Sequence, residues 1–495
     1  MASYVQMGNY DATVHVPVFL GMYQGGDKMS SDPRYAVEAV NVETEGGNLR
    51  PAAMPVQMRQ QLNAPIETLV RFVRRWAEGT SRTGELEGKE MLVAASGGRL
   101  YWTDEESDGW TQLSFPDGVS EYQSNTWSCV TYEENPEGAE NPIDVLLMSN
   151  VKDGMICVHG DDMRVTKVET PKKFGRIVRS NERVWGGAIE EDPDMLVYSA
   201  VYDAMDWSQN DEIPEDGAGD IQQPSWDGDS FTALVPFGQQ LVAFKGTRAW
   251  RIIGTDPGEY SFTEQYGGGT RYPETIAVNG YAALMLGDDS LRMYDGSSVF
   301  DYMRGYADDV FRRITPEAKH KAVACIYKGS YYLALALDGD TENGAVLRFN
   351  TRDKTFLLYE GVHVSSFVPC HNALYFATSV EPGRLFKWGE DPAESGSMAC
   401  RWTSLWMDLG YKSIQKGGFT VYVAPDTPVD AEIEITIETE RKSKTKKVTL
   451  LASDKYKRVQ ISAKGRRFRY SIVSRSRTAW TLKGGLQIIA EIDQD

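Results

Sequence analysis

Apolar residues occur along this chain in short runs that glycine, aspartate and lysine interrupt. In the stretch 238–255, an apolar run at 241–244 leads into a Lys-Gly turn, and a second run at 249–253 ends at Gly254. Short β-forming runs bounded by Gly and Asp are typical of a tight antiparallel hairpin. The stretch therefore predicts two paired strands.

The same pattern recurs in seven units, each with an apolar strand, a turn, an aromatic-rich strand and a third short strand. The copies lie at 91–113, 145–169, 184–207, 241–265, 283–303, 331–360 and 374–391. Another β-like run precedes each copy, which gives four short strands per unit. Repeats of about 40–50 residues with four strands each are the sequence signature of a β-propeller. The pattern favours a seven-bladed β-propeller over another all-β arrangement, and its weakest unit is the third, which is short and rich in Gly.

A propeller needs its two ends locked together, because an open ring leaves an unpaired sheet edge. The seventh unit ends at 391 without an obvious fourth strand. We expect a strand from the first 60 residues to fill that place, with 48–56 the best candidate. The predicted organisation is an N-terminal arm at 1–60 that closes the propeller, the propeller itself at 61–391 and a linker at 392–397.

The pattern changes at residue 398. Ile433, Ile435 and Ile437 alternate with polar residues, which predicts a strand with one apolar face. Further strand-like runs follow, and about 95 residues of β-sequence without a helix predict a jelly-roll-like β-sandwich at 398–495. The fold class is thus all-β, a seven-bladed propeller with a C-terminal sandwich. The one helix signal lies at 308–319, where Pro316 is expected to end or break the helix.

Charge divides the chain at the same boundary. The whole sequence carries a net charge of −19, but residues 398–495 hold 18 Lys and Arg against 11 Asp and Glu, a net charge of +7. The preceding residues carry the other 34 basic and 60 acidic groups, a net charge of −26. Such a change of sign indicates two regions with different surroundings.

Two charged segments are candidates for contacts with partners. The basic candidates are Arg441, Lys442, Lys444, Lys446 and Lys447 at a hairpin tip, followed by Arg466, Arg467 and Arg469. They are either a solubilising surface or an electrostatic contact with an acidic neighbouring subunit or with DNA phosphates. The acidic candidates lie in a long loop at 203–228 that is expected to project from the propeller: Asp203, Asp206, Asp211, Glu212, Glu215 and Asp216. Opposite charges on the two regions would suit head-to-tail contact in a ring.

Motifs for catalysis, metal binding and nucleotide binding are missing from the sequence. None of the five histidines has the spacing of a zinc site, and no nucleophile, phosphate-loop or calcium-loop motif occurs. We therefore expect no enzyme activity, catalytic residue, cofactor or metal. The five cysteines are scattered and without CxxC, which favours reduced thiols. No apolar run approaches the ~18 residues of a membrane helix, and no secretion signal is expected.

Several stretches together resemble a known family. They lie at 32–52, 97–104, 176–207 and 228–254, with the helix-like segment at 306–318 and the strand-rich C-terminal region. In this order they resemble the β-propeller tail hub of short-tailed bacteriophages, also called the packaged-DNA stabilisation protein. The resemblance covers most of the chain and brings no catalytic signature with it.

The resemblance implies a structural virion protein of the tail or neck, assembled in the bacterial host cytoplasm. Copies would form a homo-oligomeric ring, commonly a hexamer, that joins the portal and adaptor proteins to distal tail proteins such as a needle, fibre or spike. The ring would help to retain packaged double-stranded DNA, which would pass through its channel without sequence-specific contacts. An acidic channel wall would repel phosphate and let DNA slide.

A carbohydrate-binding or carbohydrate-cleaving propeller for host-surface recognition is the alternative. Its aromatic side chains could stack on sugars, the candidates being Trp102, Trp127, Trp185, Trp226 and Trp388. The acidic residues cluster in loops and no sialidase-type repeat is present, so cleavage is the weaker form of this hypothesis.

Overall fold

The computed structural model describes residues 4–7, 11–25, 32–77, 86–104, 106–134, 142–223, 229–302, 304–410 and 412–492. The regular secondary structure of these residues is almost entirely β. The first strands in chain order are β1 (Tyr4–Met7), β2 (Asp11–Val16), β3 (Ala36–Val40), β4 (Val42–Glu43), β5 (Arg50–Pro51) and β6 (Val56–Gln61).

Seven sets of four antiparallel strands form blades 1 to 7; six are separate sheets, and the strands of blade 6 belong to a larger sheet described below. Blade 1 contains β7 (Ile66–Ala77), β8 (Leu86–Ser96), β9 (Arg99–Thr103) and β10 (Thr111–Gln112); blade 2 contains β11 (Ser128–Glu134), β12 (Ile143–Asn150), β13 (Gly154–His159) and β14 (Val165–Val168). Blade 3 contains β15 (Arg176–Ser180), β16 (Arg183–Gly187), β17 (Met195–Tyr198) and β18 (Gly219–Gln222); blade 4 contains β19 (Ala233–Phe237), β20 (Gln240–Phe244), β21 (Ala249–Ile253) and β22 (Ser261–Gln265). Blade 5 contains β23 (Ala277–Asn279), β24 (Ala282–Leu286), β25 (Leu291–Tyr294) and β26 (Val299–Asp301). Blade 6 contains β27 (Val323–Tyr327), β28 (Ser330–Leu335), β29 (Ala345–Asn350) and β30 (Thr355–Glu360); blade 7 begins with β31 (Ser366–Cys370), β32 (Ala373–Ala377) and β33 (Arg384–Lys387).

The inner strands of the blades are buried on both faces, because each blade packs between two others. Every residue of β13 and β28 is buried, and so is every residue of β12 except its first. This explains why these strands appear in the sequence as continuous apolar runs instead of a clean alternation. Packing of blade on blade therefore supplies most of the propeller core.

The ring closes through a strand from the N-terminal region. The fourth strand of blade 7 is β6, which pairs antiparallel with β33. The first strand of blade 7, β31, contacts β7 of blade 1. The closing strand is Val56–Gln61 and not the expected 48–56, whose residues instead include β5, paired with β4.

The C-terminal region forms a sandwich. Its strands are β34 (Cys400–Ser404), β35 (Lys416–Asp426), β36 (Ala431–Thr439), β37 (Ser443–Leu450), β38 (Lys457–Gly465), β39 (Phe468–Ser474) and β40 (Thr481–Ile492). One sheet has the order β1-β2-β40-β35-β38. The other has the order β3-β34-β39-β36-β37 and continues through β30 into blade 6 as one nine-stranded sheet. The all-β fold class, a seven-bladed propeller with a C-terminal sandwich, is therefore confirmed.

Strand pairing divides the first 60 residues between two places. Residues 1–60 are predicted to be an arm of the propeller, but β1, β2 and β3 are strands of the sandwich and only β6 enters a blade. β2 pairs with β40 along its whole length and buries Ala12, Val14 and Val16. Since this pairing joins residues at opposite ends of the chain, local sequence pattern does not predict it.

Propeller and sandwich share one hydrophobic core. A single cluster of buried side chains runs from Leu284 in blade 5 through Phe356 in blade 6 to Ile488 in the sandwich. Phe19 packs edge-on against the fully buried Trp402, with ring centroids 5.1 Å apart. The sandwich is thus fixed to blade 6 by a continuous sheet and a continuous core.

The predicted long loop at 203–228 and the predicted helix at 308–319 can be compared with the structure. The fourth strand of blade 3 is β18, which lies inside the segment predicted to be a long loop at 203–228. The helix signal at 308–319 gives α1 (Asp308–Arg313), which ends before Pro316 as predicted, and a 3-10 helix at Pro316–Lys321. A second short helix, α2 (Pro392–Ser395), lies in the predicted linker. Within the described ranges, none of the helices has the length and apolar character needed to cross a bilayer.

Candidate functional sites

A groove with a basic lining runs along the open side of the sandwich, between the edge strands β37 and β38. It encloses about 770 Å³. Its cationic lining residues are Arg441, Lys442, Lys444, Lys446 and Lys464. The one acidic residue that lines it is Glu491. We refer to this feature as the basic groove.

The register of β37 explains why two lysines face the groove. Lys446 lies opposite Ile435 and Lys444 lies opposite Ile437 on β36, and both isoleucines are buried between the sheets. Directly opposed residues share one face of a sheet, so these lysines are on the inner face. The facing sheet ends at β38, where Lys446 Nζ is 3.5 Å from the carbonyl oxygen of Gln460. The lysine stems can therefore cover the apolar edge while their ammonium groups reach water.

The remaining predicted basic residues lie outside the groove. Lys447 is on the opposite face of β37, with Nζ 3.2 Å from Glu432 Oε1. Arg469 Nε donates to Glu438 Oε2 at 2.7 Å, and the guanidinium groups of Arg467 and Arg469 lie over the ring of Trp406. Lys447, Arg467 and Arg469 are therefore engaged in contacts with other side chains on the sandwich surface.

Glu440 orders the loop that carries Arg466 and Arg467. The backbone amides of these two residues donate to its carboxylate at 2.7 and 3.2 Å. Burial opposes ionisation of Glu440, but these amides and the nearby charge of Arg441 outweigh it and hold its pKa below the ordinary value. Of the basic residues predicted from the sequence, four line the groove: Arg441, Lys442, Lys444 and Lys446. Lys464 also lines it but was not predicted. Lys447, Arg466, Arg467 and Arg469 were predicted but lie outside it.

The cations at the mouth of the groove keep their charge available. In the part of the chain that the structure describes, no carboxylate oxygen lies within 4.0 Å of the charged groups of Arg441, Lys442 or Lys444. All three residues are exposed. Lysines that point inward at an edge strand also prevent two sheets from pairing edge to edge. The groove thus has a structural explanation as well as the capacity to bind an anion.

The acidic segment lies over blade 3 as an anchored loop. The guanidinium of Arg183, which is 2% exposed, donates to the carbonyl oxygens of Ser199 and Gly217 at 2.7 Å and to that of Glu215. Trp207 is buried against Phe174, with ring centroids 5.1 Å apart. The predicted acidic residues Asp203, Asp206, Asp211, Glu212, Glu215 and Asp216 are all exposed. The loop is therefore held in place and presents its carboxylates to solvent, while 224–228 lies outside the described residues.

A third cluster joins blades 7 and 1. Cys370 at the end of β31 and His371 in the following turn meet Glu90 of β8, 280 residues from Cys370 along the chain. Cys370 Sγ is 3.4 Å from Glu90 Oε2 and 3.2 Å from His371 Nδ1, and the His371 amide donates to Glu90 Oε2 at 2.6 Å. Among the described residues this is the one group of three or more His, Cys, Asp or Glu whose ligand atoms lie within 4.8 Å of one another.

Burial and charge set the protonation of this cluster. Burial, helped by the charge of Glu90, raises the pKa of the Cys370 thiol to about 12. Burial also opposes ionisation of Glu90, but the His371 amide and the ion pair with Arg71 outweigh it and lower the pKa of the carboxyl group. Sequence reasoning predicted no metal ligands, and its only available signal was the adjacent Cys-His pair, because Glu90 comes from another blade.

The tryptophans proposed for sugar stacking mainly serve the core. Trp127, Trp185 and Trp388 are buried, with at most 8% of their surface exposed. Trp102 is half-buried, and Trp226 lies outside the described residues. At least three of the five side chains are thus unavailable to a sugar in this conformation.

Comparisons with known proteins find similar solved structures but no matching sequence family. No protein-family model matches the chain, and no curated protein sequence matches it. Among solved structures, the chain is similar to BBS1N in its complex with ARL6DN, at 12% identity over 61% of this chain and 88% of that chain, with a TM-score of 0.37. It is also similar to the Pan2 WD40 domain of Neurospora crassa, at 6% identity over 69% and 98% of the two chains, with a TM-score of 0.41. A third similar structure is PorZ, a surface component of the type-IX secretion system of Porphyromonas gingivalis, at 10% identity over 83% and 46%, with a TM-score of 0.38.

Proposed function

We propose that this chain is a structural virion protein of a tailed bacteriophage. In this proposal it is a subunit of a tail hub or head-completion ring that joins the portal and adaptor proteins to distal tail parts and helps to retain packaged DNA. The resemblance at 32–52, 97–104, 176–207 and 228–254 supports it, as does the separation of an acidic propeller from a basic sandwich. The role is architectural, without catalysis.

The observation that carries the proposal is the basic groove. Its five cationic side chains share the groove with one carboxylate, Glu491. An acidic surface on a neighbouring copy would complement it, and the exposed acidic loop of blade 3, at 203–216, offers six carboxylates. Contact between two different surfaces of identical subunits is heterologous and generates a ring when the rotation closes. Complementary charge would also fix the register of the contact.

Rigid attachment of the sandwich supports a closed ring over an irregular polymer. The nine-stranded sheet and the shared core hold the basic groove at a constant position relative to the acidic loop. Every subunit in a ring would then repeat the same rotation to its neighbour. A flexible connection between the two charged surfaces would instead permit many rotations and open chains.

Charge reversal in the groove tests the proposal. Lys442, Lys444 and Lys446 changed together to Glu should leave the chain folded but monomeric, because the groove would then repel the acidic loop of the neighbour. The measurement is sedimentation velocity and electron microscopy of the purified chain, alone and mixed with portal and adaptor proteins. Wild type should form rings under the same conditions.

A matched control makes the same change of charge elsewhere. Lys354, Lys412 and Lys455 are exposed and lie outside the groove, so their triple change to Glu should leave assembly intact. A second variant, Asp211, Glu212 and Glu215 changed to Lys, should assemble with the groove variant although neither assembles alone. Rings of normal stability from the groove variant would contradict the proposed contact.

A further inference from the structure

We propose that Glu90, Cys370 and His371 bind a divalent transition-metal ion of the Zn²⁺ class at the junction of blades 1 and 7. The three side chains come from β8, from the end of β31 and from the turn between β31 and β32. This inference is independent of the proposed virion role, since it concerns the propeller of a single chain. Its argument rests on the positions of the donor atoms, their hydrogen bonds and their chemistry.

The donor atoms of Glu90, Cys370 and His371 converge in a small space between the two blades. Glu90 Oε2 and His371 Nδ1 lie 3.4 and 3.2 Å from Cys370 Sγ. In the tautomer that leaves His371 Nδ1 unprotonated, the single hydrogen of the thiol can be donated to only one of its two neighbours at a time. A cation in place of that hydrogen would contact all three donors, and the displaced proton would pass to solvent.

The spacing of the donor atoms is close to that of a zinc site. Zinc–sulfur bonds of about 2.3 Å and zinc–nitrogen or zinc–oxygen bonds of about 2.0–2.2 Å, at tetrahedral angles, separate neighbouring ligand atoms by about 3.5 Å. The two distances from Cys370 Sγ differ from that value by a few tenths of an ångström or less. The donor atoms of Glu90 and His371 lie within 4.8 Å of each other, so rotation of these two side chains would complete the set of ligands around the ion.

The surroundings hold the ligands in position. The Arg71 guanidinium pairs with Glu90 Oε1 and leaves Oε2 directed at Cys370. His371 has a φ of 48° and Asn372 a φ of 54°, so the turn after Cys370 is left-handed and brings the His371 ring beside the thiol. Hydrogen bonds to the far atom of a ligand orient it and tune metal affinity. Arg71 would have this role for Glu90.

The donor set selects the class of metal. One thiolate, one imidazole and one carboxylate suit Zn²⁺ or Co²⁺, whereas Mg²⁺ and Ca²⁺ prefer oxygen ligands alone. Cys370 is 3% exposed, but Glu90 and His371 are only partly buried, so the ion could enter from solvent and keep a water as its fourth ligand. Three protein ligands with one open position are a known zinc arrangement.

A bound ion would tie the first blade to the last. Cys370 and Ala373 of blade 7 pack with Leu92 and Ala94 of blade 1 in one apolar cluster beside the site. The ion would add a direct link between β8 and the β31–β32 turn at the place where the ring closes. Because the unfolded chain does not hold these ligands together, binding would stabilise the folded propeller.

Cobalt binding by the full-length chain tests the proposal. After removal of metal with a chelator under non-thiol reducing conditions, titration with Co²⁺ should give a thiolate-to-cobalt absorption band that saturates at one equivalent. Zn²⁺ should displace the cobalt and raise Tm. Cys370→Ser should abolish the band, and Glu90→Gln should weaken Co²⁺ binding by about tenfold or more.

Two further variants separate ligand loss from misfolding. His371→Asn removes the imidazole but retains a residue that tolerates left-handed φ, so it should fold and lose most of the affinity. Cys129→Ser changes a thiol outside the cluster and should keep both the band and the shift in Tm. Absence of the band in the folded wild-type chain, an equal band in Cys370→Ser, or a Tm unaffected by Zn²⁺ would overturn the proposal.

Discussion

Charged side chains with little exposure hold the turns of the propeller. Asp104 follows β9 in blade 1 and has a side chain that is 6% exposed, with Oδ2 2.7 Å from Lys89 Nζ. Its Oδ1 accepts hydrogen bonds from the amide and hydroxyl groups of Ser107. Burial opposes its ionisation, but Lys89 and Ser107 outweigh burial and lower the pKa of the carboxyl group. Asp104 thus stabilises the end of its strand only in the ionised form.

Asp104 should make a pH-dependent contribution to stability. A carboxyl group whose pKa is depressed by folding stabilises the protein above its unfolded pKa, which is about 3.9 for Asp, and this contribution is lost as pH falls through the folded value. The Tm difference between wild type and Asp104→Asn should therefore be largest above pH 5 and shrink below pH 4. Asp108→Asn, an exposed neighbour, is the control and should show a small difference at every pH. An Asp104→Asn difference independent of pH would contradict this account.

At the scale of single elements, strand identity comes from local pattern and strand partnership does not. β2 alternates buried and partly exposed residues in the way a half-buried strand must. Its partner β40 lies at the far end of the chain, and Val14 pairs with Ile488 in the centre of the sheet. The N-terminal strands therefore act as part of the sandwich and protect the edge of β40.

A charge on the buried face of β2 should loosen the sandwich and spare the propeller. Val14→Asp would place a carboxylate at a site that is 1% exposed, which should lower the free energy of unfolding by about 3 kcal/mol or more. Hydrogen exchange should accelerate in β1, β2 and β40 but not in blade 7. Thr13→Asp, on the other face of the same strand, is the matched control and should have little effect. Faster exchange in blade 7 would show that β2 supports ring closure instead.

At the scale of the whole molecule, the contact proposed between copies would join two regions of opposite charge. The groove cations lie on one side of a rigid body, and the carboxylates of the acidic loop lie on blade 3. Their attraction would act over about 10 Å at 0.1 M salt and over shorter distances as salt rises. Electrostatic contact and apolar contact between subunits therefore respond to salt in opposite directions.

Assembly should weaken as ionic strength increases. Sedimentation velocity at 0.05 M and 0.5 M NaCl should show rings at the lower concentration and mainly monomers at the higher one. The groove variant, with Glu at 442, 444 and 446, should be monomeric in both. Rings that persist or strengthen at 0.5 M would indicate an apolar interface and would count against the groove.

The amino-acid sequence determined the features that depend on neighbouring residues. Hairpins join consecutive strands within a blade, so seven repeats of strand and turn were enough to predict seven blades. The end of α1 before Pro316 follows from the chemistry of one residue. The groove residues Lys442, Lys444 and Lys446 were found as a run of like charge on one predicted hairpin. In each case the interacting residues are close along the chain.

Tertiary structure alone decided the contacts between distant residues. A period of two fixes which face of a strand is apolar, but not which strand lies beside it. The missing fourth strand of blade 7 was enough to predict closure by an N-terminal strand, but the identity of that strand, β6, and the pairing of β2 with β40 had to be seen in the fold. For the same reason, the sequence did not predict that Lys464 lines the groove. It also did not predict the contact of Glu90 in blade 1 with Cys370 and His371 in blade 7. Closing a ring brings its first and last blades together, and no local pattern records that contact.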